Sequence, residues 1–325
     1  MKPERPHPPS PNPRSSSPTD LSQFYVTEYL QHSKNGTVMR LTDGRQDLVA
    51  KVRVRPRTRE EEEQTDDPEL ARTILRALGP HDGIVEQVDH PHDPTGVCVS
   101  VTKFLPGGDL FEVVKRGGLD EFRIGKWFSE LANTLRELHF CGIAHLDLSL
   151  ENMLYDPQSQ RIKLCDFGLA CRVWRNTQGQ ELSMRQHREL GKFYCQAPEA
   201  WNGKPFRATQ ADVYSFGMCL LVAYTQQHPY QRPDWTDRDF VSFYYHPYGV
   251  VRYIKKIGAW VPPGASKLIA QCVSVPEKRL TMSQVSQHPY LRFFRACFAR
   301  THKENHGRRK RRASLPGRLE QTEED

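Results

Sequence analysis

Three short runs of the sequence place side chains that can do polar chemistry together. The first is His145-Leu146-Asp147-Leu148-Ser149-Leu150-Glu151-Asn152, followed by the apolar Met153-Leu154-Tyr155. The second is Asp166-Phe167-Gly168, which comes eleven residues after Tyr155 and is preceded by the strand-like Ile162-Lys163-Leu164-Cys165. The third is Val49-Ala50-Lys51, far upstream. Later come Ala197-Pro198-Glu199, Asp212-Val213-Tyr214-Ser215-Phe216-Gly217, Arg279 after Pro276-Glu277-Lys278, and His288-Pro289-Tyr290-Leu291. Any one of these could occur by chance; their order and spacing together are specific.

These runs need elements to hold them. Residues 24–55 read as short strands, Phe24-Tyr25-Val26, Val38-Met39-Arg40-Leu41 and Leu48-Val49-Ala50-Lys51-Val52, with turn signals at Asn35-Gly36 and Asp43-Gly44. Asp66-Asp67-Pro68 signals a helix start, and Leu70, Ile74, Leu75 and Leu78 carry helical spacing. Two more strands are expected near 84–89 and 97–103. After Gly107-Gly108 the pattern turns helical. Phe122 to Leu138 is amphipathic, with Ile124, Phe128, Leu131, Leu135 and Leu138 on one face, and Gln210 to Tyr224 reads as a buried helix. A small β-rich lobe followed by a larger α-rich lobe implies a cleft, which is a favoured ligand site.

Composition narrows the classes. The 325 residues are 37% hydrophobic and 10% aromatic, which allows a substantial core. No apolar run is long enough to span a membrane, and MKPERPHPPS has no apolar core of a secretory signal. The eight cysteines form no CxxC pair, which argues against a zinc or redox centre and for reduced thiols in an intracellular protein. The net charge of +7 owes much to Arg308-Arg309-Lys310-Arg311-Arg312. That run reads as a solvated tail, with a nuclear-localisation patch on an otherwise cytoplasmic protein as the alternative. No folded nucleic-acid motif accompanies it, so no nucleic-acid partner is expected. Seven prolines within residues 1–20 and the polar stretch from Asn305 leave both ends too poor in apolar surface to fold. The expected layout is a disordered segment 1–21, a folded domain 22–298 and a disordered tail 299–325.

In order and spacing these motifs resemble the signature set of the eukaryotic-type protein kinases, over about residues 22–295. The resemblance implies an α+β bilobal fold, with an N-lobe over about 22–102, a connector at about 103–106 and a C-lobe over about 107–298. It implies ATP and Mg²⁺ as cofactors and a protein as substrate. It leaves the oligomeric state open. Asp147 matches the aspartate that accepts the substrate hydroxyl proton, and Asn152 and Asp166 match the Mg²⁺ ligands. Lys51 matches the lysine on the α- and β-phosphates. Gly36, Val38, Val49, Lys103, Leu105 and Leu154 match the walls of the nucleotide site, with Thr102 guarding its inner end and Asp109 facing the ribose. For the helical glutamate that pairs with Lys51, counting from the lysine favours Glu69, whereas aligning on Ile74-Leu75 places Ala71 there. Glu199 and Arg279 match a buried structural ion pair. Ser149-Leu150-Glu151 lacks the Ala-Ala-Arg type of insert of tyrosine kinases, so serine/threonine specificity is expected.

Four departures from the family pattern bear on activity. Gln31 and Ser33 stand at two of the three glycine positions of the phosphate loop, leaving Gly36, which predicts weakened ATP affinity. Leu146 replaces the arginine that receives an activation-segment phosphate, so activity should not depend on phosphorylation there, despite candidates at Thr177 and Ser183. Ser149 takes the place of a lysine, and Lys192 that of a threonine. In related kinases those two side chains converge beside the catalytic aspartate. One reading is an exchange, with Lys192 supplying the charge and Ser149 bonding Asp147; the other is an exposed lysine and an inert serine. Cys165 is expected to face the cleft as an alkylable thiol or to be a small buried hydrophobe. Arg311-Arg312-Ala313-Ser314 resembles a site for arginine-directed kinases. The departures leave a second function open, a non-catalytic pseudokinase that acts as a scaffold. The retention of Lys51, Asp147, Asn152 and Asp166 as a set weighs against it.

Overall fold

The computed structural model describes residues 21–33, 36–54, 68–88, 97–117, 119–185 and 192–298. The phosphate-loop tip, Asp66-Asp67, the basic run, Ser314 and both expected tails, apart from Leu21, lie outside the described residues.

Alternating β-branched and apolar residues build the first layer. Strands β1 (Tyr25–Ser33), β2 (Gly36–Thr42), β3 (Asp47–Val54) and β4 (Val97–Lys103) form an antiparallel sheet in that order. Strand period two divides its residues between two faces. Leu48, Ala50 and Val101 are buried on one, packed with Phe24, Met39, Leu41, Val52 and Val88. The register Val38↔Lys51 and Arg40↔Val49↔Thr102 puts those five residues on the other. Helix α1 (Pro68–Leu78) buries Ala71 and Ile74 into the core of the second lobe.

Of the strand expected at 84–89, the described residues 84–88 do not form a strand. Ile84 and Gln87 make single bridges to different partners, Leu164 and Thr102. The Val85 N–H goes to Leu164 O at 2.8 Å and the Val88 N–H to Val101 O at 2.9 Å. The segment changes partner halfway, so its apolar run joins the two lobes instead of extending one sheet.

The second lobe is helical because its sequence buries long faces. Helix α2 (Leu110–Lys115) is followed by α3 (Glu121–Phe140), which is N-capped by Asp120 and buries the five apolar residues expected of it. Gly125 of α3 is needed for close packing: a Cβ there would come within 2.3 Å of the Phe294 ring. Short strands β5 (Ile143–Ala144), β6 (Met153–Asp156), β7 (Arg161–Leu164) and β8 (Cys171–Arg172) pair as β5–β8 and β6–β7. Helices α4 (Pro198–Trp201), α5 (Ala208–Thr225), α6 (Arg238–Tyr244), α7 (Gly249–Lys256), α8 (Pro263–Cys272) and α9 (Met282–Ser286) follow, then helical residues 289–298. Helix α5 is buried all round, as its strongly apolar sequence predicts. No helix among the described residues is long and apolar enough to cross a membrane.

Candidate active site

The loop between β5 and β6 carries Asp147, and buried groups fix its backbone. Asp212 on α5 is fully buried and accepts the backbone N–H groups of His145 and Leu146, each at 2.8 Å. The same carboxylate bonds His139 Nε2 at 2.8 Å. These bonds hold Leu146 at φ 61°, a left-handed conformation that a leucine adopts only under such constraint. His145 is fully buried, and burial lowers its pKa below the ordinary histidine range. Its Nδ1 accepts the Asp147 N–H at 3.3 Å, so its Nε2–H donates to Cys165 O at 3.1 Å. One neutral imidazole thus ties the Asp147 loop to the residue before Asp166.

Asn152 completes the loop. Its Nδ2 donates to Asp147 O at 2.8 Å and to Asp147 Oδ2 at 2.7 Å. Its backbone O accepts the Cys165 N–H at 3.0 Å. Across the cleft, Lys51 Nζ meets Asp166 Oδ2 at 2.7 Å, and Asp166 Oδ1 accepts the Gly168 N–H at 3.3 Å. Burial pushes the Asp166 pKa up, but the Lys51 charge and hydrogen bond and the Gly168 N–H outweigh it, leaving the carboxyl below its ordinary range. Asp166 is therefore an anion at neutral pH. Lys51 also shows which face of the sheet looks into the cleft: the face bearing Val38, Val49 and Thr102. The side chain of Glu69, expected as the Lys51 partner, lies outside the described residues; the alternative position, Ala71, is buried.

The donor set suits the cation that such a site implies. Asn152 spends its N–H₂ on Asp147, which leaves its Oδ1 as the acceptor atom. With Asp166 this gives hard oxygen donors. Among the described residues no group of three or more His, Cys, Asp or Glu could by itself hold a metal ion.

Lys192 and Ser149 converge, although they are 43 residues apart: Lys192 Nζ donates to Ser149 Oγ at 3.2 Å. Lys192 also pairs with Glu151 Oε1 at 2.9 Å, and Tyr194 OH donates to the same oxygen at 2.7 Å. Burial raises the Glu151 pKa, but Tyr194 and Lys192 together bring it below the ordinary value. Sequence reasoning missed this Glu151–Tyr194 contact.

The remaining expected residues make contacts of several kinds. Val38 faces Lys51 across β2–β3, and Val49 faces Thr102 across β3–β4. Gly36 opens β2 with φ 138°, where a side chain would be strained, and Ser33 pairs with it in register, so β1 runs through the second glycine position. Leu105 O accepts the Gly108 N–H, and Leu154 bridges Asp109. Asp109 Oδ1 caps α2 through the Glu112 N–H at 2.9 Å, a structural duty beside the expected ribose contact. Lys103 is half-exposed and pairs with Glu86 at 2.6 Å. Cys165 is partly exposed. Burial first, then the Asp166 charge, pushes its thiol well above the usual range, so little thiolate forms.

Several contacts anchor the described part of the segment after Asp166. Strand β8 pairs with β5, and Met184 pairs with Phe206. Arg175 Nη2 donates to His139 O at 3.1 Å. Glu181 takes the first-turn Thr209 N–H of α5 at 3.1 Å and also accepts from the Thr209 hydroxyl. Below it Glu199 meets Arg279 with two hydrogen bonds, of 2.5 and 3.2 Å.

Residues 28–291 match the protein kinase domain family. The chain belongs to that family. It is 32% identical over 184 residues to human testis-specific serine/threonine-protein kinase 3, covering 53% of this chain and 64% of that one. It is 29% identical over 199 residues to maternal embryonic leucine zipper kinase of Xenopus laevis, covering 61% and 28%. It is 28% identical over 221 residues to the serine/threonine-protein kinase ppk25 of Schizosaccharomyces pombe, covering 67% and 48%. The chain thus spans less than two thirds of the length of each of these relatives. Membership accounts for the two-lobed kinase architecture, and the family in general uses ATP and Mg²⁺. His139, Asp212 and Glu181 are the residues this kinase domain relies on that the motif reading left without a role. Asp212 stood inside a quoted motif; Glu181 gave no local signal.

Proposed function

We propose that the chain is a serine/threonine protein kinase that transfers the γ-phosphate of ATP to a protein hydroxyl. The observation that carries this is the Lys51–Asp166 ion pair across the cleft, with Asp147 and Asn152 bound to each other and tied to Asp166 through His145 and Cys165. We take residues 22–298 as the catalytic unit. Asp147, oriented by Asn152, accepts the proton of the incoming hydroxyl and aims its oxygen. Asn152 and Asp166 hold Mg²⁺, which when bound neutralises phosphate charge. Lys51 binds the α- and β-phosphates of the substrate nucleotide, and Val38, Val49, Leu105 and Leu154 enclose its base. Lys192, held by Glu151 and Ser149 on the opposite wall, brings a positive charge towards the transferring phosphoryl group.

The test is transfer of labelled phosphate from Mg-ATP to serine or threonine of a generic protein substrate. Label on serine or threonine is expected; no transfer at all selects the scaffold reading instead. Two further outcomes follow. Lys192→Ala lowers the single-turnover rate by about 10²-fold, the scale of removing one charge-stabilising donor; a near-normal rate removes Lys192 from the chemistry. Thr177→Ala and Ser183→Ala keep wild-type kcat, because Glu181, Arg175 and β8 already hold the segment and Leu146 offers no phosphate receptor. A strict need for either hydroxyl refutes that independence.

A further inference from the structure

One basic side chain on the cleft face of the sheet has no part in the chemistry above. Arg40 is two residues beyond Val38 on β2 and faces Val49 on β3, so it shares the face from which Lys51 reaches Asp166. Its register partners are Glu28 on β1 and Val49 on β3. Its side chain is 32% exposed, and its guanidinium is held by neighbours. Arg40 pairs with Asp47, and its guanidinium carbon lies 4.1 Å from the ring centroid of Phe104. Its Nε is buried without a hydrogen-bond partner. Phe104 stands in the connector between the lobes, and its own N–H donates to Asp47 O at 3.1 Å. Arg40, Asp47 and Phe104 therefore close a ring between β2, β3 and the connector. An ordinary surface ion pair would leave the guanidinium hydrated and mobile. Here stacking and the backbone bond fix it at the outer edge of the roof.

We infer that Arg40 is a positioning residue for the nucleotide. It clasps the roof of the cleft to the connector through the face of Phe104, and so sets the height of the recess that Val38 and Val49 cover. The inference rests on the kinase reading for its location beside a nucleotide site, not for the clasp itself. A clasp of this kind compensates in part for Gln31 and Ser33 at the glycine positions: the sheet is held at its connector end where phosphate-loop contacts are weakened. It acts on nucleotide affinity and leaves the Asp147 machinery untouched, because none of its three members contacts that loop.

The experiment is steady-state kinetics of the full chain with ATP varied at saturating protein substrate. Arg40→Met is expected to raise KM for ATP about fivefold, the effect of one partly desolvated cation–ring contact, with kcat within twofold. Phe104→Leu keeps apolar bulk but removes the ring, and is expected to do the same. The double variant adds little to either single one, as for two halves of one interaction. A KM within twofold of wild type in both single variants overturns the clasp, as does a fall in kcat at unchanged KM. If Arg40→Met does not fold, Arg40→Lys tests the same point: it keeps the charge but not the planar stack, so a rise in KM supports the clasp and an unchanged KM overturns it. If wild type transfers no phosphate, the kinase reading fails by itself. Calorimetric binding of ATP then decides the clasp, through a weaker Kd in Arg40→Met or an unchanged one.

Discussion

Asp147→Asn will lower kcat by about 10³-fold, within the range for loss of a positioned acid–base group, and will leave folding and ATP affinity as they were. The substitution keeps the shape of the side chain and removes its ability to take a proton. It should fold, because what holds the loop does not depend on the Asp147 charge. The Asp212 carboxylate fixes the two preceding N–H groups, His145 accepts the Asp147 backbone N–H, and Asn152 also bonds the Asp147 backbone oxygen. The lost rate therefore reports chemistry and not a displaced loop. The effect exceeds that of Lys192→Ala because Lys192 shares its charge with Glu151 and Ser149 at all times, whereas Asp147 acts on the reacting oxygen itself. Single-turnover transfer, thermal denaturation and nucleotide binding measured on the same variant separate these cases. A rate within tenfold of wild type, with native stability, would show that Asp147 is not the proton acceptor.

The residues of this site were legible in the sequence where chemistry and spacing travel together. Asp147, Asn152 and Asp166 stand in short motifs, and the fold brings them within one hydrogen-bonded unit. Lys192 and Ser149 were legible as a pair only through two compensating departures from a family pattern, and their 3.2 Å contact needed the tertiary fold to bring them together. What sequence could not supply was the identity of long-range partners. Glu181 reaches Thr209 and Tyr194 reaches Glu151 because a loop folds back over the second lobe, and no local periodicity records that return. The helices were read well because α3 and α5 bury long apolar faces. The segment at 84–89 was misread because an apolar run of strand length divides its hydrogen bonds between two lobes, and composition alone does not distinguish that from a strand.

Glu199→Gln will destabilise the fold by about 3–5 kcal/mol, the range for stranding one charge of a buried pair. The Arg279 side chain is fully buried. Besides Glu199 it donates to Ser274 O at 2.9 Å and to Gln210 O at 2.8 Å, and it lies 5.1 Å from the centroid of the Tyr214 ring. Those acceptors satisfy its N–H groups without neutralising its charge. A guanidinium cannot escape by losing its proton inside a protein. Arg279→Met leaves a different remainder: the Glu199 side chain is 11% exposed, and a carboxyl can turn to water or take up a proton. That variant should therefore lose less. The double variant Glu199→Gln/Arg279→Met carries no stranded charge and should recover part of the loss seen in Glu199→Gln alone, so the two changes are not additive. Denaturant unfolding of the four proteins measures all three differences. If Glu199→Gln unfolds at the wild-type midpoint, the pair is a contact of convenience, and the segment after Asp166 is held by Glu181, Arg175 and β8 without it.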